Sequence, residues 1–151
     1  MDFPLSQDIT KLEPNFRILS DIELIEREDI EFSDALKTAG WIDGQWVKID
    51  GNGKLVDSDA TATRNSFCVW TGSEKSGSPT PDTYATGKLT VLTGAGYIAQ
   101  TKQFTGTPTV GDLLVAKSGK LVKAADAAEE RVAVAVCHKP VASGILIYRA
   151  L

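Results

Sequence analysis

The sequence predicts an all-β fold, a small β-barrel or β-sandwich body that follows an extended N-terminal arm. About eight to ten short apolar runs are separated by turns rich in Gly, Asn, Asp and Ser, which is the pattern of barrels and sandwiches. No long segment places apolar residues at helical spacing. With 151 residues, of which 42% are hydrophobic and 24% charged, the chain is long enough for one domain with a substantial core.

The clearest strand pattern is in the C-terminal part of the chain. Residues 113–116 and 120–124 flank Lys117-Ser118-Gly119, and two short apolar runs around such a turn predict a β-hairpin. Residues 131–137 form a continuous Val/Ala run, which predicts a strand buried on both faces. The last apolar run, residues 145–148, ends close to the C-terminus, so we expect the core to hold it.

A similar arrangement occurs earlier, since residues 44–70 align with residues 111–138 if small gaps are allowed. Both stretches contain Gly-Lys-Leu-Val, a small polar stretch and an apolar strand with a cysteine, Cys68 or Cys137. The alignment predicts a duplicated β-unit, about residues 40–71 and 106–149, around a loop and a central hairpin. Two unrelated hairpins with the same turn are the alternative. Buried thiols are the simplest expectation for the two cysteines, and whether they are bonded stays open.

Residues 1–20 contain isolated apolar residues that follow neither a helical nor a strand period, and Pro4 and Pro14 interrupt them. The segment has too many apolar residues for a free tail, so we expect an arm that lies on another surface and reaches roughly 65 Å when extended. An arm packed on its own domain is an equal alternative. The body then spans residues 21–151.

The body begins with an acidic stretch, residues 21–36, in which apolar and acidic residues alternate. The alternation predicts two short strands with a charged bend at residues 27–29. Residues 45–49 form the next predicted strand, with Trp41 and Trp46 as aromatic residues of the sheet. Residues 71–82 predict an exposed loop.

A further hairpin is predicted in the middle of the chain. Residues 86–93 and 97–104 are two apolar runs that surround Gly94-Ala95-Gly96, and a short glycine turn between such runs is typical of a hairpin.

Composition argues against several function classes. A net charge of −4 and scattered basic residues do not suit a nucleic-acid groove. No apolar run approaches the roughly 20 residues that cross a bilayer, so we expect no membrane partner. The N-terminus lacks the basic and then apolar pattern of a signal peptide, and we expect a protein that is made in the cytoplasm and used without export.

The sequence contains no recognisable catalytic, metal or cofactor motif. His138 is the only histidine, and it follows Cys137 directly, so on a strand the two side chains point to opposite faces. The loop from Asp50 lacks the glycine and the carboxylate of a calcium-binding EF-hand at the sixth and twelfth positions. Gly-Lys pairs are followed by Leu, which a phosphate-binding loop would not have. We therefore expect a protein that is not an enzyme, with no cofactor and no metal.

The order of motifs in residues 110–151 resembles the C-terminal half of tailed-bacteriophage capsid decoration (cement) proteins. The resemblance rests on a Gly-Asp-apolar strand, a Gly-Lys-Leu-Val hairpin, a Val/Ala strand and a final strand preceded by Gly. The resemblance covers about forty residues well and is weaker in residues 41–70. It does not cover the arm or residues 71–104.

The resemblance implies a small barrel or tulip-like body on the outer surface of a virion head, bound to the major capsid protein of an HK97-type shell. It also implies a homotrimer with an N-terminal arm across the lattice. This chain is longer than the most compact members of the family. The residues expected to anchor the arm to the capsid are Phe3, Leu5, Ile9, Leu12 and Phe16.

Two other functions stay open at the level of sequence. A tail-tube or head–tail joining protein would also be β-rich with an arm, and would form hexameric or dodecameric rings. A carbohydrate-binding module would use Trp41, Trp46 or Trp70 as a stacking surface.

Overall fold

The computed structural model of the chain describes residues 15–70 and 87–151, which form two antiparallel β-sheets with a shared core. The strands of this part of the chain are β1 (Phe16–Ser20), β2 (Ile25–Arg27), β3 (Trp46–Ile49), β4 (Leu55–Asp57), β5 (Ser66–Val69), β6 (Val91–Thr93), β7 (Ile98–Thr101), β8 (Leu113–Lys117), β9 (Lys120–Lys123), β10 (Ala135–Ala142) and β11 (Ile145–Ala150). Two short helices join them, α1 (Asp34–Ala39) and α2 (Ala127–Glu130).

One sheet has six strands in the order β1-β7-β11-β10-β8-β9, and the other has five in the order β2-β6-β5-β3-β4. The prediction of an all-β sandwich is confirmed. The barrel alternative is wrong, because each sheet ends in two edge strands and neither sheet closes on itself.

The central strands of the five-stranded sheet, β3, β5 and β6, are buried on both faces. Trp46 and Cys68 point into the core between the sheets, whereas their neighbours Val47 and Val69 point to a second core on the opposite face. This alternation follows from the two-residue period of a strand. A sheet covered on both sides needs apolar residues at consecutive positions, which explains the continuous apolar runs in β3 and β5.

Helix α1 covers the outer face of the five-stranded sheet. Ser33 caps its N-terminus by accepting a hydrogen bond from the Leu36 N–H, 3.1 Å, and Gly40 at φ 76° ends it. Leu36 is buried in the second core, where Phe32 and Trp41 pack with ring centroids 5.1 Å apart. The sequence-based prediction contained no helix here, because a single helical turn and a half is too short to show a period.

The predicted hairpin of residues 113–124 is present as β8 and β9. Ser118 and Gly119 form its two-residue turn, with φ values of 51° and 82° that favour glycine. The turn also contacts the other sheet, since the Gly119 N–H donates to Ser58 Oγ at 2.6 Å and the Trp46 N–H donates to the Gly119 carbonyl at 2.9 Å.

The two stretches that the alignment paired lie in different sheets with the same local strand order. Strand β3 lies between β4 and β5, as β8 lies between β9 and β10. The cysteines lie on β5 and β10, and both are buried free thiols in the core between the sheets. A common origin of the two units stays a prediction.

The predicted hairpin at Gly94-Ala95-Gly96 is wrong. Strand β6 pairs with β2 and β5, whereas β7 pairs with β1 and β11, so these three residues carry the chain from one sheet to the other. A short glycine turn suits a crossover between packed sheets as well as a hairpin, and only the partners of the strands distinguish them.

Two other predicted strands differ from the structure. The Val/Ala run was expected to be a strand from residue 131, but α2 and a turn precede β10, which starts at Ala135 and runs on through His138. The predicted pair of strands in residues 21–36 is reduced to β2 and isolated bridges at Glu31 and Phe32, followed by α1. In both places, hydrogen bonds to neighbouring strands determine where the strand begins and ends. A local sequence pattern does not show which segments will be neighbours.

Strand β1 belongs to the body, so the predicted boundary of the arm at residue 20 is wrong. Phe16 is 2% exposed and lies in the core between the sheets, and β1 pairs with β7 from Phe16 to Ser20. Phe16 is therefore not available as an arm anchor. The other predicted anchors, Phe3, Leu5, Ile9 and Leu12, lie outside the described residues, as does the predicted loop of residues 71–82.

Candidate functional site

Cys137 and His138, the two residues considered for nucleophilic chemistry, are neighbours on β10 with different exposure. Cys137 is buried and its Sγ donates to the Lys139 carbonyl at 3.2 Å, whereas the next residue, His138, is exposed. The two adjacent side chains therefore differ in exposure, and that they point to opposite faces stays a prediction. Burial raises the pKa of the Cys137 thiol, which opposes formation of the reactive thiolate.

Cys68 lies among two tyrosines in the centre of the core. The hydroxyls of Tyr97 and Tyr148 are within 3.2 Å of each other, and Tyr148 also interacts with the Cys68 thiol. Burial raises the pKa of all three groups, so they remain protonated and neutral near neutral pH. This cluster satisfies buried polar atoms and does not present a nucleophile to solvent.

The loop that superficially resembles a calcium site is a stabilised turn. Asp50 Oδ1 accepts hydrogen bonds from the backbone N–H groups of Asn52, 2.8 Å, and Lys54, 3.0 Å. The Lys54 hydrogen bond is the main reason why the pKa of Asp50 lies below its usual range. In the chain segments that the structure describes, no cluster of three or more His, Cys, Asp or Glu residues is arranged to hold a metal ion.

A cleft of about 430 Å³ opens at one end of the sandwich, between β3 and the C-terminus. Two of its hydroxyls are bonded to the backbone, since Ser66 Oγ donates to the Thr63 carbonyl and Thr93 Oγ1 to the Ile25 carbonyl. The guanidinium of Arg64, which also lines the cleft, donates to the Arg131 carbonyl. These contacts use the hydroxyls of Ser66 and Thr93 and the guanidinium of Arg64 for structure.

The tryptophans do not form an exposed stacking surface. Trp41 and Trp46 are buried, one in each core, and Trp70 is half-buried against the core between the sheets. A glycan ring needs an accessible aromatic face, so two of the three residues proposed for carbohydrate binding are not available for it.

The surface with the strongest features for binding is the edge made by β1, residues 21–24 and β2, which we call the open edge. Strand β1 ends the six-stranded sheet and β2 ends the five-stranded sheet, so consecutive strands form the same side of the sandwich. The connection between β1 and β2 packs closely against Gly94, because a Cβ on Gly94 would lie 2.0 Å from the Glu23 carbonyl oxygen. Glu23 itself has a positive φ of 59°.

The edges on the other side of the sandwich are covered. The backbone of Leu55 in β4 exchanges hydrogen bonds with Glu31 and Ser33, and that of Leu121 in β9 exchanges them with Gln103 and Thr105. Within the described residues, β1 pairs only with β7 and β2 only with β6. Among residues 15–70 and 87–151, the two sides of the sandwich therefore differ in how many backbone hydrogen bonds their edge strands make to neighbouring segments.

The open edge also has exposed apolar side chains. Leu19 is 44% exposed, Ile22 69% and Ile25 58%. Natural edge strands are commonly protected by charged residues or covered by other segments, so three exposed aliphatic residues within seven positions make this edge the candidate binding surface of the described residues.

Acidic residues surround these apolar side chains. Residues 16–31 contain six acidic and two basic residues, so this stretch alone has the net charge of −4 that the whole chain has. Arg27 is bound to Asp29 through two hydrogen bonds, 2.7 and 3.2 Å, and this contact lowers the pKa of the Asp29 carboxyl. The open edge is therefore apolar and acidic.

Sequence reasoning placed Leu19 in the arm and Ile22 and Ile25 in or near a strand, but it did not identify them as a surface. The available signal was the interruption of an acidic stretch by aliphatic residues. That signal does not distinguish a strand with one buried face from an edge that faces solvent.

No helix of the described residues is long and apolar enough to cross a membrane. Comparisons with protein-family models, with curated proteins and with solved structures found no match to this chain.

Proposed function

We propose that this protein is a capsid decoration (cement) protein of a tailed bacteriophage. In this role it binds the outside of an HK97-type head shell and stabilises the shell by tying neighbouring major capsid subunits together. The resemblance of residues 110–151 suggested this function, and those residues form β8, β9, β10 and β11, which are neighbours in one sheet. The proposed role is structural and does not involve catalysis.

The observation that carries the proposal is the position at which the chain enters the body. Residues 1–14 lead directly into β1, the edge strand of the six-stranded sheet, and they contain the four remaining anchor candidates, Phe3, Leu5, Ile9 and Leu12. The exposed aliphatic residues of the open edge lie beside this entry point. Apolar side chains concentrated on one side of a small domain favour binding to another protein.

A homotrimer is the assembly that this role favours. Three arms and three open edges held in one particle bind a repetitive lattice together, and linked contacts increase the overall affinity by orders of magnitude when the geometry allows simultaneous binding. A weak contact at each subunit is then sufficient for stable decoration.

The direct test is to mix the protein with undecorated phage heads and to locate the additional density by cryo-electron microscopy. We expect density on the outer surface at threefold or quasi-threefold positions. Rings of six or twelve copies on the tail or at the head–tail joint would instead support the joining-protein alternative. Absence of bound protein on heads of the matching phage would contradict the proposal.

A second test concerns the arm. Deletion of residues 1–14 leaves β1 intact, so the variant is expected to keep its urea unfolding midpoint but to lose most of its binding to heads. Deletion of residues 1–20 would also remove Phe16 from the core and is therefore unsuitable as a test of binding. Undiminished binding of the variant that lacks residues 1–14 would remove the arm from the mechanism.

A further inference from the structure

The open edge has backbone groups that no strand of the described residues pairs with. An edge strand directs alternate N–H and C=O groups away from its sheet, and in the described residues neither β1 nor β2 has a partner on that side. At about 3.3 Å per residue, the five residues of β1 extend over about 17 Å, which is the length of an ordinary strand. An extended segment of another protein would therefore find a full-length partner in β1.

The side chains at this edge select the chemistry of that segment. Leu19, Ile22 and Ile25 favour a segment with apolar residues, because their burial would remove aliphatic surface from water. The net charge of −4 in residues 16–31 favours a segment with Lys or Arg. Salt bridges at the rim of such a contact contribute mainly to the rate of association and to the choice of partner.

Charge disfavours the occupants that the chain itself could supply. Pairing of two open edges would place two acidic stretches beside each other. Residues 1–14 contain three acidic residues and one basic residue, and residues 71–86 contain two acidic residues and one basic residue, so both segments are net acidic as well. A basic segment of a different protein is the complementary occupant.

We propose that the open edge binds an extended apolar and basic segment of the shell subunit, which adds to β1 as an antiparallel or parallel strand. The proposal rests on the proposed function, because the shell subunit is the partner it names. It specifies the face of the body that meets the shell, and it adds to the arm a second contact in which the body accepts a strand.

The test compares two single substitutions in the full chain, Ile25→Glu in the open edge and Val110→Glu as the matched control. Both side chains are 58% exposed, and Val110 lies just before β8, four strands from β1 in the six-stranded sheet. Both variants should keep the unfolding midpoint. Binding to undecorated heads should weaken by roughly tenfold or more for Ile25→Glu and by less than about twofold for Val110→Glu.

A third variant, Glu26→Lys, tests the charge. It should weaken binding to heads, and it should also reduce the loss of binding that added salt causes in the wild type. The Ile25→Glu variant makes the edge more acidic, so its weaker binding would show that the apolar contact is needed in addition to the charge.

Hydrogen exchange on decorated and free protein tests the backbone contact. Amides of β1 and β2 should exchange more slowly after binding to heads, whereas amides of β4 and β9 should not change. If all variants bind like the wild type and β1 is not protected, the open edge is not the contact, although the proposed function stands. If Ile25→Glu changes the oligomeric mass and leaves binding to heads unchanged, the occupant is a second copy and the proposal is wrong. If the wild type does not bind heads, the proposed function fails, and this proposal fails with it.

Discussion

The hydroxyl oxygens of Tyr97 and Tyr148 lie 3.2 Å apart in the core between the two sheets. Tyr148 is on β11 and Tyr97 directly precedes β7, and their rings meet edge to face with centroids 5.9 Å apart. Both side chains are almost completely buried. Each hydroxyl therefore depends on a partner inside the protein, because water does not reach it.

We predict that removal of these hydroxyls affects stability unequally. Tyr148→Phe leaves both the Tyr97 hydroxyl and the Cys68 thiol without this partner and should cost about 1–3 kcal/mol in the free energy of unfolding. Tyr97→Phe should cost about 1 kcal/mol, because Tyr148 keeps its interaction with Cys68. Urea unfolding at pH 7 measures both values.

The double variant Tyr97→Phe/Tyr148→Phe is the control. Replacement of both partners leaves no hydroxyl unsatisfied, so its cost should be smaller than the sum of the two single costs. Strict additivity would contradict a hydrogen bond between the two residues.

The same cluster predicts a loss of stability at alkaline pH. Burial raises the folded-state pKa of Cys68, Tyr97 and Tyr148 above their usual values of 9.0 for the thiol and 10.0 for the phenols. The stabilising effect is complete below pH about 9 and decreases above it, because the unfolded chain releases protons that the folded chain retains. Each such group adds a slope of up to about 1.4 kcal/mol per pH unit.

Urea unfolding between pH 7 and about pH 11 measures this slope. The Tyr97→Phe/Tyr148→Phe variant should lose the part of the slope that begins near pH 10 and retain the part due to Cys68. An equal slope in the wild type and in this variant would mean that the tyrosines do not contribute.

Substitutions of Phe16 and Leu19 test whether β1 is part of the body or of a free arm. Phe16→Ala should destabilise the protein by about 3–5 kcal/mol, because it removes a ring from the core between the sheets. Leu19 lies three residues later in β1 and its side chain is exposed. Leu19→Ala should therefore change the free energy of unfolding by less than about 0.5 kcal/mol. If Phe16→Ala leaves the unfolding midpoint unchanged, β1 does not belong to the body.

Gly53 and Gly119 form a matched pair in the repeated Gly-Lys-Leu-Val motif. Both have positive φ, 77° and 82°, so substitution by Ala at either position should cost about 1 kcal/mol. A Cβ on Gly53 would meet no atom within 4 Å, whereas one on Gly119 would lie 3.1 Å from Asp57 Oδ1. Gly119→Ala should therefore cost somewhat more than Gly53→Ala in thermal or urea unfolding, because the Asp57 carboxylate, which accepts a hydrogen bond from Gln45 at 3.0 Å, would have to shift. Equal effects would mean that the Asp57 side chain moves aside without cost.

Elements whose contacts lie close together in the sequence were predicted correctly, and elements that depend on distant contacts were not. The β8–β9 hairpin followed from Gly119 and two short apolar runs, because a two-residue turn fixes the pairing of its flanking strands. The glycines at 94 and 96 gave the same local signal but mark a crossover between sheets. Helix α1 was missed, since the burial of Leu36 against the five-stranded sheet stabilises it, and a six-residue helix has little stability from propensity.

The candidate site was predicted only in part. That the apolar residues before β1 are a binding segment stays a prediction. Phe16 was wrongly assigned to that segment, because an isolated apolar residue gives no indication of whether it faces its own core or a partner. Leu19, Ile22 and Ile25 became recognisable as a surface only when β1 and β2 were found at the same side of the sandwich.

The sequence by itself determined the strand-rich character of this protein, its turns at positive-φ glycines and the concentration of acidic charge in residues 16–31, because these depend on neighbouring residues or on composition. Only the tertiary structure decided which strands share a sheet, that Phe16 is buried, and that within the described residues one side of the sandwich has unpaired edge strands while the other is covered. The physical reason is that strand pairing joins residues far apart in the chain, and the exposure of a side chain depends on all the segments that pack around it.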